Sequence, residues 1–207
     1  MIWPRSWRPP PLDGSRRSSL TLNSSDLSRQ RYASADPGAA AVRPGVLVEV
    51  AGCGVWISGE SGVGKSELAL ALLERGHRLV ADDAIEFQRS DHAALLARPP
   101  GALRDLLEVR GLGVINVREL FGGQALLPVA TVHLAVRLLR PAAGQWQDWE
   151  RLQPQRDQLR LLGVMVPRVT LPVAAGRPLP LLLETLVRLE RAAASLLHGR
   201  RRQGGEL

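Results

Sequence analysis

The chain of 207 residues contains a single lysine, Lys65, within Gly59-Glu60-Ser61-Gly62-Val63-Gly64-Lys65-Ser66, and every other permanent cation is arginine. A run of the form G-x-x-x-x-G-K-S is a phosphate-binding loop: its backbone N–H groups wrap phosphates, the Lys reaches the β/γ oxygens and the Ser hydroxyl ligates Mg²⁺. The planar fork of an arginine does not replace the compact ammonium in that role. The competing reading is a glycine-rich turn that matches by chance. Context favours chemistry, because Gly54-Val55-Trp56-Ile57-Ser58 reads as a buried strand and Ser66 to Arg75 as a helix stopping at Gly76. Strand, loop and helix in that order put a helix N-terminus beneath the bound anion. Gly59, Glu60, Ser61, Gly62, Val63, Gly64, Lys65 and Ser66 are therefore the candidate nucleotide or polyphosphate ligands.

A phosphate loop alone serves GTPases, transporter ATPases and small-molecule kinases. The strand Arg78-Leu79-Val80-Ala81 ends in Asp82-Asp83 and follows the loop's helix after only the Gly76-His77 turn. It is expected next to the first strand, which would bring a carboxylate toward the terminal phosphate. There it takes the proton of an attacking hydroxyl or ligates Mg²⁺. Adjacent aspartates also cap turns; beside a phosphate loop the catalytic reading is preferred. A further block, Leu107-Glu108-Val109-Arg110-Gly111-Leu112-Gly113-Val114-Ile115-Asn116, sets a Glu and an Arg beside Gly-x-Gly. That combination supplies a metal ligand and a phosphate clamp on a loop able to approach closely, or else a surface turn with an exposed ion pair.

The elements that must position these groups are mostly strands. Gly45 to Val50 and Val55 to Ile57 form a hairpin leading into the loop, and Ile85 to Phe87 with Ala93 to Leu96 form another. A short helix is expected over Val117 to Phe121 and strand over Val129 to Leu139. A polar loop bearing Trp146 and Trp149 then runs from Pro141 to about Arg156, followed by strands at Val164 to Val166 and Arg168 to Leu171 and a helix from Pro180 to Leu197. This is not the β-α alternation of a doubly wound sheet; it is mixed α/β. Residues 1–44, rich in Ser, Arg and Pro, read as a disordered or spurious tail, 45–198 as one catalytic domain, and 199–207 as a basic polar tail.

The length suits one domain with its own core, and no apolar run reaches the ~20 residues a membrane helix needs. Lone Cys53 excludes an internal disulfide, so the expected compartment is the cytoplasm. The net charge of +7 lies partly in the N-terminal segment and in Arg200-Arg201-Arg202, with no aromatic interleaving. It therefore reads as a solvated basic surface rather than a nucleic-acid site, and neither nucleic acid nor membrane is an expected partner. The four histidines show no metal-ligand spacing.

Three blocks, Gly59 to Ser66, Arg75-Gly76-His77-Arg78-Leu79-Val80-Ala81-Asp82-Asp83, and Leu107 to Asn116, closely resemble the C-terminal domain of bacterial HPr kinase/phosphorylase in residues, order and spacing. The resemblance spans roughly Gly45 to Leu197. It implies a P-loop-containing mixed sheet with few helices, related to PEP carboxykinase. It also implies a cytoplasmic homohexamer that phosphorylates a serine of the HPr phosphocarrier with ATP or pyrophosphate and Mg²⁺, and reverses this by phosphorolysis with inorganic phosphate. Carried onto matching positions, Lys65 holds phosphates and Ser66 and Glu108 ligate the metal. Asp83 is the base, and the acid in reverse, while Asp82 is its electrostatic neighbour. Arg151 corresponds to a family arginine, and Pro172-Val173-Ala174-Ala175-Gly176-Arg177 resembles the phosphorolysis segment. The chain departs at Pro44, where the family usually has His, at Pro178, where Asn is usual, and ahead of Gly45, where a tail is expected in place of the family's separate N-terminal domain. The rival functions are a catalytically impaired nucleotide-binding regulator and a small-molecule kinase.

Overall fold

The computed structural model describes residues 40–142 and 155–203, with side chains to 194 in the last helix. Eleven strands and three α-helices are placed in it: β1 (Ala40–Pro44), β2 (Val46–Val50), β3 (Cys53–Gly59), α1 (Lys65–Leu73), β4 (Arg78–Ala81), β5 (Ala84–Arg89), β6 (Leu95–Arg98), β7 (Leu106–Val109), β8 (Gly113–Asn116), α2 (Val117–Phe121), β9 (Ala130–Leu139), β10 (Gln155–Leu161), β11 (Val164–Pro172) and α3 (Leu179–Gln203). The main mixed sheet runs β1-β5-β6-β9-β3-β2-β4, with the β10–β11 hairpin joined through β11 to β9. β3, β9 and β11 are parallel, and β2 is antiparallel to both β3 and β4.

β2 is buried along its whole length because both sheet faces are covered. Val46, Val48 and Val50 alternate with Leu47, sending the valines to one core and the leucine to the other. The first core packs β2, β3 and β9 against Leu68, Leu72 and Leu73 of α1 and Leu183, Leu186 and Val187 of α3. The second core joins Leu47 and Trp56 to Ile85 and Phe87 of β5. Trp56 and Phe87 meet there at 4.8 Å between ring centroids, tilted by 55°. Among the described residues no helix is long and apolar enough to cross a membrane.

Four features depart from the sequence reading. β1 pairs antiparallel with β5, Ala40 opposite Gln88 through Pro44 opposite Ala84, so among the described residues the sheet reaches back to Ala40, ahead of the boundary at Gly45. Backbone pairing at a sheet edge stabilises a segment that has no apolar alternation of its own. β10 occupies part of the expected polar loop: its charged, largely exposed residues are tolerated because it is an outer strand. Third, β4 is not next to β3, since β2, returning through a tight hairpin, lies between them. At the far end, α3 continues to Gln203, beyond the boundary at 198.

Candidate functional site

The loop from Gly59 to Gly64 leaves the C-terminal end of β3 and turns directly into α1, with Gly64 as N-cap. No side chain caps the helix there, so its first-turn N–H groups are left to a ligand. Val63 is buried in the first core and anchors the loop. Lys65 Nζ donates to the carbonyls of Gly59 at 3.1 Å and Glu60 at 3.0 Å, folding its ammonium back over the loop's concave side. These are bonds a phosphate oxygen can replace.

The opposite wall comes from β4 and the β7–β8 hairpin. The hairpin tip, Arg110-Gly111-Leu112, is closed by the Leu112 N–H donating to the Val109 carbonyl at 3.0 Å. Gly111 and Gly113 have φ of 85° and 84°, a region glycine enters freely, which accounts for the Gly-x-Gly spacing. The block's last residue, Asn116, is structural. Its Oδ1 accepts from the N–H groups of Arg118 at 3.0 Å and Glu119 at 3.3 Å, capping α2.

Between the walls lies a cleft of about 600 Å³ lined by loop residues, Lys65, Ser66, Asp82, Asp83, Glu108 and Arg110. Although β4 is two strands from β3, its end reaches the loop: Ser66 Oγ donates to Asp82 Oδ1 at 3.3 Å. Asp82 Oδ2 accepts the backbone N–H of Glu108 at 2.9 Å. Burial pushes the Asp82 carboxyl above the usual range, against the opposing pull of hydrogen bonds from the Glu108 and Asp83 backbone and from Ser66. Asp83 is exposed at the cleft, with φ 65°. Arg110, which the sequence offered only as one of two readings of its block, stands over the loop: a Cβ on Gly62 would lie 2.9 Å from its Nη2.

The donor set is hard oxygen: the Ser66 hydroxyl and the Glu108 carboxylate, with two aspartates beside them. Among the described residues no three His, Cys, Asp or Glu side chains converge into a metal cage. A cation held by these oxygens would need phosphate oxygens and water to complete its shell, a demand that fits Mg²⁺.

The remaining expected residues fall elsewhere. Pro172 to Arg177 connects β11 to α3, tied to β9 by the Val173 N–H donating to the Leu139 carbonyl at 2.8 Å, and does not line the cleft. Arg151, Trp146 and Trp149 lie outside the described residues. Pro44, noted from sequence as the departure from the family's histidine and read as the end of the tail, lines the cleft. One residue not proposed from sequence flanks the loop: Arg140, beyond β9, donates from Nη2 to the Gly62 carbonyl at 3.4 Å. For Arg140 no local signal exists, since its nearness to the loop follows from the parallel pairing of β3 and β9.

A mixed sheet whose glycine-rich loop opens into a helix facing a carboxylate pair defines an α/β domain built around one polar cleft. The profile of the HPr Serine kinase C-terminal domain matches residues 39–201, and the chain belongs to that family. It is 52% identical over 144 residues to the HPr kinase/phosphorylase of Azoarcus sp. (strain BH72), covering 70% of this chain and 46% of the relative. It is 47% identical over 140 residues to that of Halalkalibacterium halodurans, covering 68% and 44%. The chain thus spans less than half the length of these curated relatives. The solved structure of the Hpr(Ser) kinase/phosphatase from Coxiella burnetii superposes with a TM-score of 0.71 at 32% identity, covering 81% of this chain and 99% of that one.

Proposed function

We propose that this chain carries the catalytic site of a protein-serine kinase and phosphorylase acting on an HPr-like phosphocarrier, with ATP or pyrophosphate as donor and Mg²⁺ as cofactor. The observation that carries the reading is one cleft lined by both the Lys65 ammonium and the exposed Asp83 carboxylate, at the uncapped N-terminus of α1. In the forward direction the acceptor serine gives its proton to Asp83 as its oxygen bonds to the terminal phosphorus. The bond from that phosphorus to the bridging oxygen breaks, releasing ADP, or phosphate when pyrophosphate is the donor. In reverse, a phosphate oxygen bonds to the phosphoserine phosphorus, the bond to the serine oxygen breaks, and protonated Asp83 returns its proton there, leaving pyrophosphate. Lys65 and Arg110 face the charge that develops on the transferred group. Mg²⁺ bound by Ser66 and Glu108 would neutralise phosphate oxygens.

Arg177 does not line this chain's cleft, so its assignment to phosphorolysis rests on the family segment alone. A cytoplasmic homohexamer is part of the same reading, supported by Leu181 and Leu189 exposed on α3. Light scattering that returns a monomer at micromolar concentration would remove the hexamer. The reaction is tested with ATP or pyrophosphate, Mg²⁺ and HPr: wild type is expected to incorporate phosphate and Lys65→Ala to lose it, and equal incorporation rejects the site. A second reading, a catalytically impaired nucleotide-binding homologue, is favoured by Pro44 lining the cleft where the family usually carries His. Calorimetric ATP binding without turnover would select it.

A further inference from the structure

The two aspartates at the end of β4 have different surroundings. Asp83 is exposed at the cleft, whereas Asp82 is 6% exposed and both of its carboxylate oxygens are engaged. Oδ1 accepts the Ser66 hydroxyl at 3.3 Å and Oδ2 accepts the Glu108 N–H at 2.9 Å. We propose that Asp82 is a positioning residue that fixes Ser66 and Glu108 relative to each other as the two protein ligands of the divalent cation, and that it moves no proton.

The inference rests on the reading of the cleft as a phosphate and cation site, and it separates the roles of the two neighbouring aspartates. A serine hydroxyl has one hydrogen and two lone pairs. With its hydrogen committed to Asp82 Oδ1, Ser66 keeps its lone pairs for a cation, and the charged acceptor raises the basicity of that oxygen. Glu108 is on β7, in a separate two-stranded sheet, while Ser66 is on α1. The Asp82 carboxylate bonds to both, so it sets the register between hairpin and helix at the point where their oxygens must converge. Each Asp82 oxygen keeps a further lone pair, but the group is buried under these bonds, which leaves an acceptor hydroxyl little access to it. Asp83, exposed beside it, has no such restriction.

The test is Mg²⁺-dependent ATP binding by calorimetry, together with turnover. Asparagine at this position replaces one of the two acceptor oxygens by an NH2 donor, so in the observed geometry one of the bonds from Ser66 and Glu108 is lost. In Asp82→Asn the half-saturating Mg²⁺ is expected to rise about 10- to 100-fold. ATP affinity in EDTA should stay within about two-fold of wild type, with turnover largely recovered at saturating Mg²⁺. An unchanged Mg²⁺ requirement with turnover lost at every Mg²⁺ concentration would overturn the proposal and make Asp82 the proton carrier. Amide hydrogen exchange at Glu108 in the wild type does not depend on whether the variant folds: protection is expected, and rapid exchange would equally overturn it. The binding arm contains no HPr. Failure of HPr phosphorylation with the Mg²⁺ shift intact therefore rejects the acceptor and leaves Asp82's role standing.

Discussion

Arg75, just past α1, and Glu184, on α3, meet through a bidentate pair, Nε to Oε1 at 2.6 Å and Nη2 to Oε2 at 2.7 Å. His77 Nε2 adds a third contact to Oε1 at 2.9 Å. Glu184 is buried, so the Arg-Gly-His part of the second sequence block holds the last helix against the turn that leads into β4. That strand carries Asp82 and Asp83 at its end, which connects a packing contact to the position of the cleft's two aspartates.

The pair predicts acid sensitivity. The Arg75 hydrogen bond, ahead of that from His77, holds the Glu184 carboxyl down to about 2 from its ordinary 4.5. A depressed folded pKa contributes stability that is complete above the unfolded value and is lost as pH falls through the folded one. Stability is therefore expected to fall between about pH 4.5 and 2 through this group, and urea melts across that range should show it. Glu184→Gln should cost about 1–3 kcal/mol at pH 7 and flatten that part of the profile. A variant with wild-type midpoint and wild-type slope would show the pair to be inert.

Arg110 gives a second prediction. Its guanidinium is exposed above Gly62, whose φ is 76°, and in the proposed site its fork would clamp phosphate oxygens bidentately. Arg110→Ala is expected to lower kcat/KM by about 100-fold or more, with Arg110→Lys recovering part of the loss because charge returns without the fork. A loss under about three-fold with both donors would place the guanidinium outside the transition state.

The loop, α1 and the aspartate strand were legible because each is specified by neighbouring residues: glycines where the backbone must turn, strong helix formers after them, and an apolar run ending in carboxylates. Leu107 to Asn116 was legible as a unit, but the capping role of Asn116 emerges only once α2 follows it. What escaped was decided by distant partners. Ala40 to Pro44 is a strand because β5 offers a free edge, and Gln155 to Leu161 because β11 does. Neither has the alternation that would announce it. The insertion of β2 between β3 and β4 is likewise a choice of sheet order that local pattern does not encode.

Asn116 predicts a modest, separable effect on stability. Its side chain caps α2, and its Nδ2 donates to Glu119 Oε1 at 2.9 Å. Asn116→Ala should cost about 1 kcal/mol, read as a lowered melting midpoint, while Asn116→Asp retains the capping oxygen and most of the stability. Equal losses in both variants would mean that the cap is not what the residue contributes.

Pro44 makes the sharpest prediction about activity. It ends β1 opposite Ala84, one residue past Asp83, and Trp56 Nε1 donates to its carbonyl at 3.3 Å, a bond any residue there could accept. The following Gly45 N–H donates to the Asp83 carbonyl at 3.1 Å, so position 44 is held beside the proposed base by backbone contacts. Pro44 is exposed and lines the cleft, yet its ring neither accepts nor donates a proton. Substituting the family's histidine keeps these backbone acceptors and adds an imidazole next to the Asp83 carboxylate. Pro44→His is expected to raise forward turnover by about 10-fold or more, because a positioned acid–base group contributes on that scale. The gain should appear as pH rises through about 6.5, where the neutral imidazole becomes the populated form. The decisive measurement is the pH profile of kcat for both proteins with HPr and ATP. A parallel profile at unchanged height would mean that position 44 cannot reach the reacting hydroxyl, and that Asp83 alone sets the rate of proton removal.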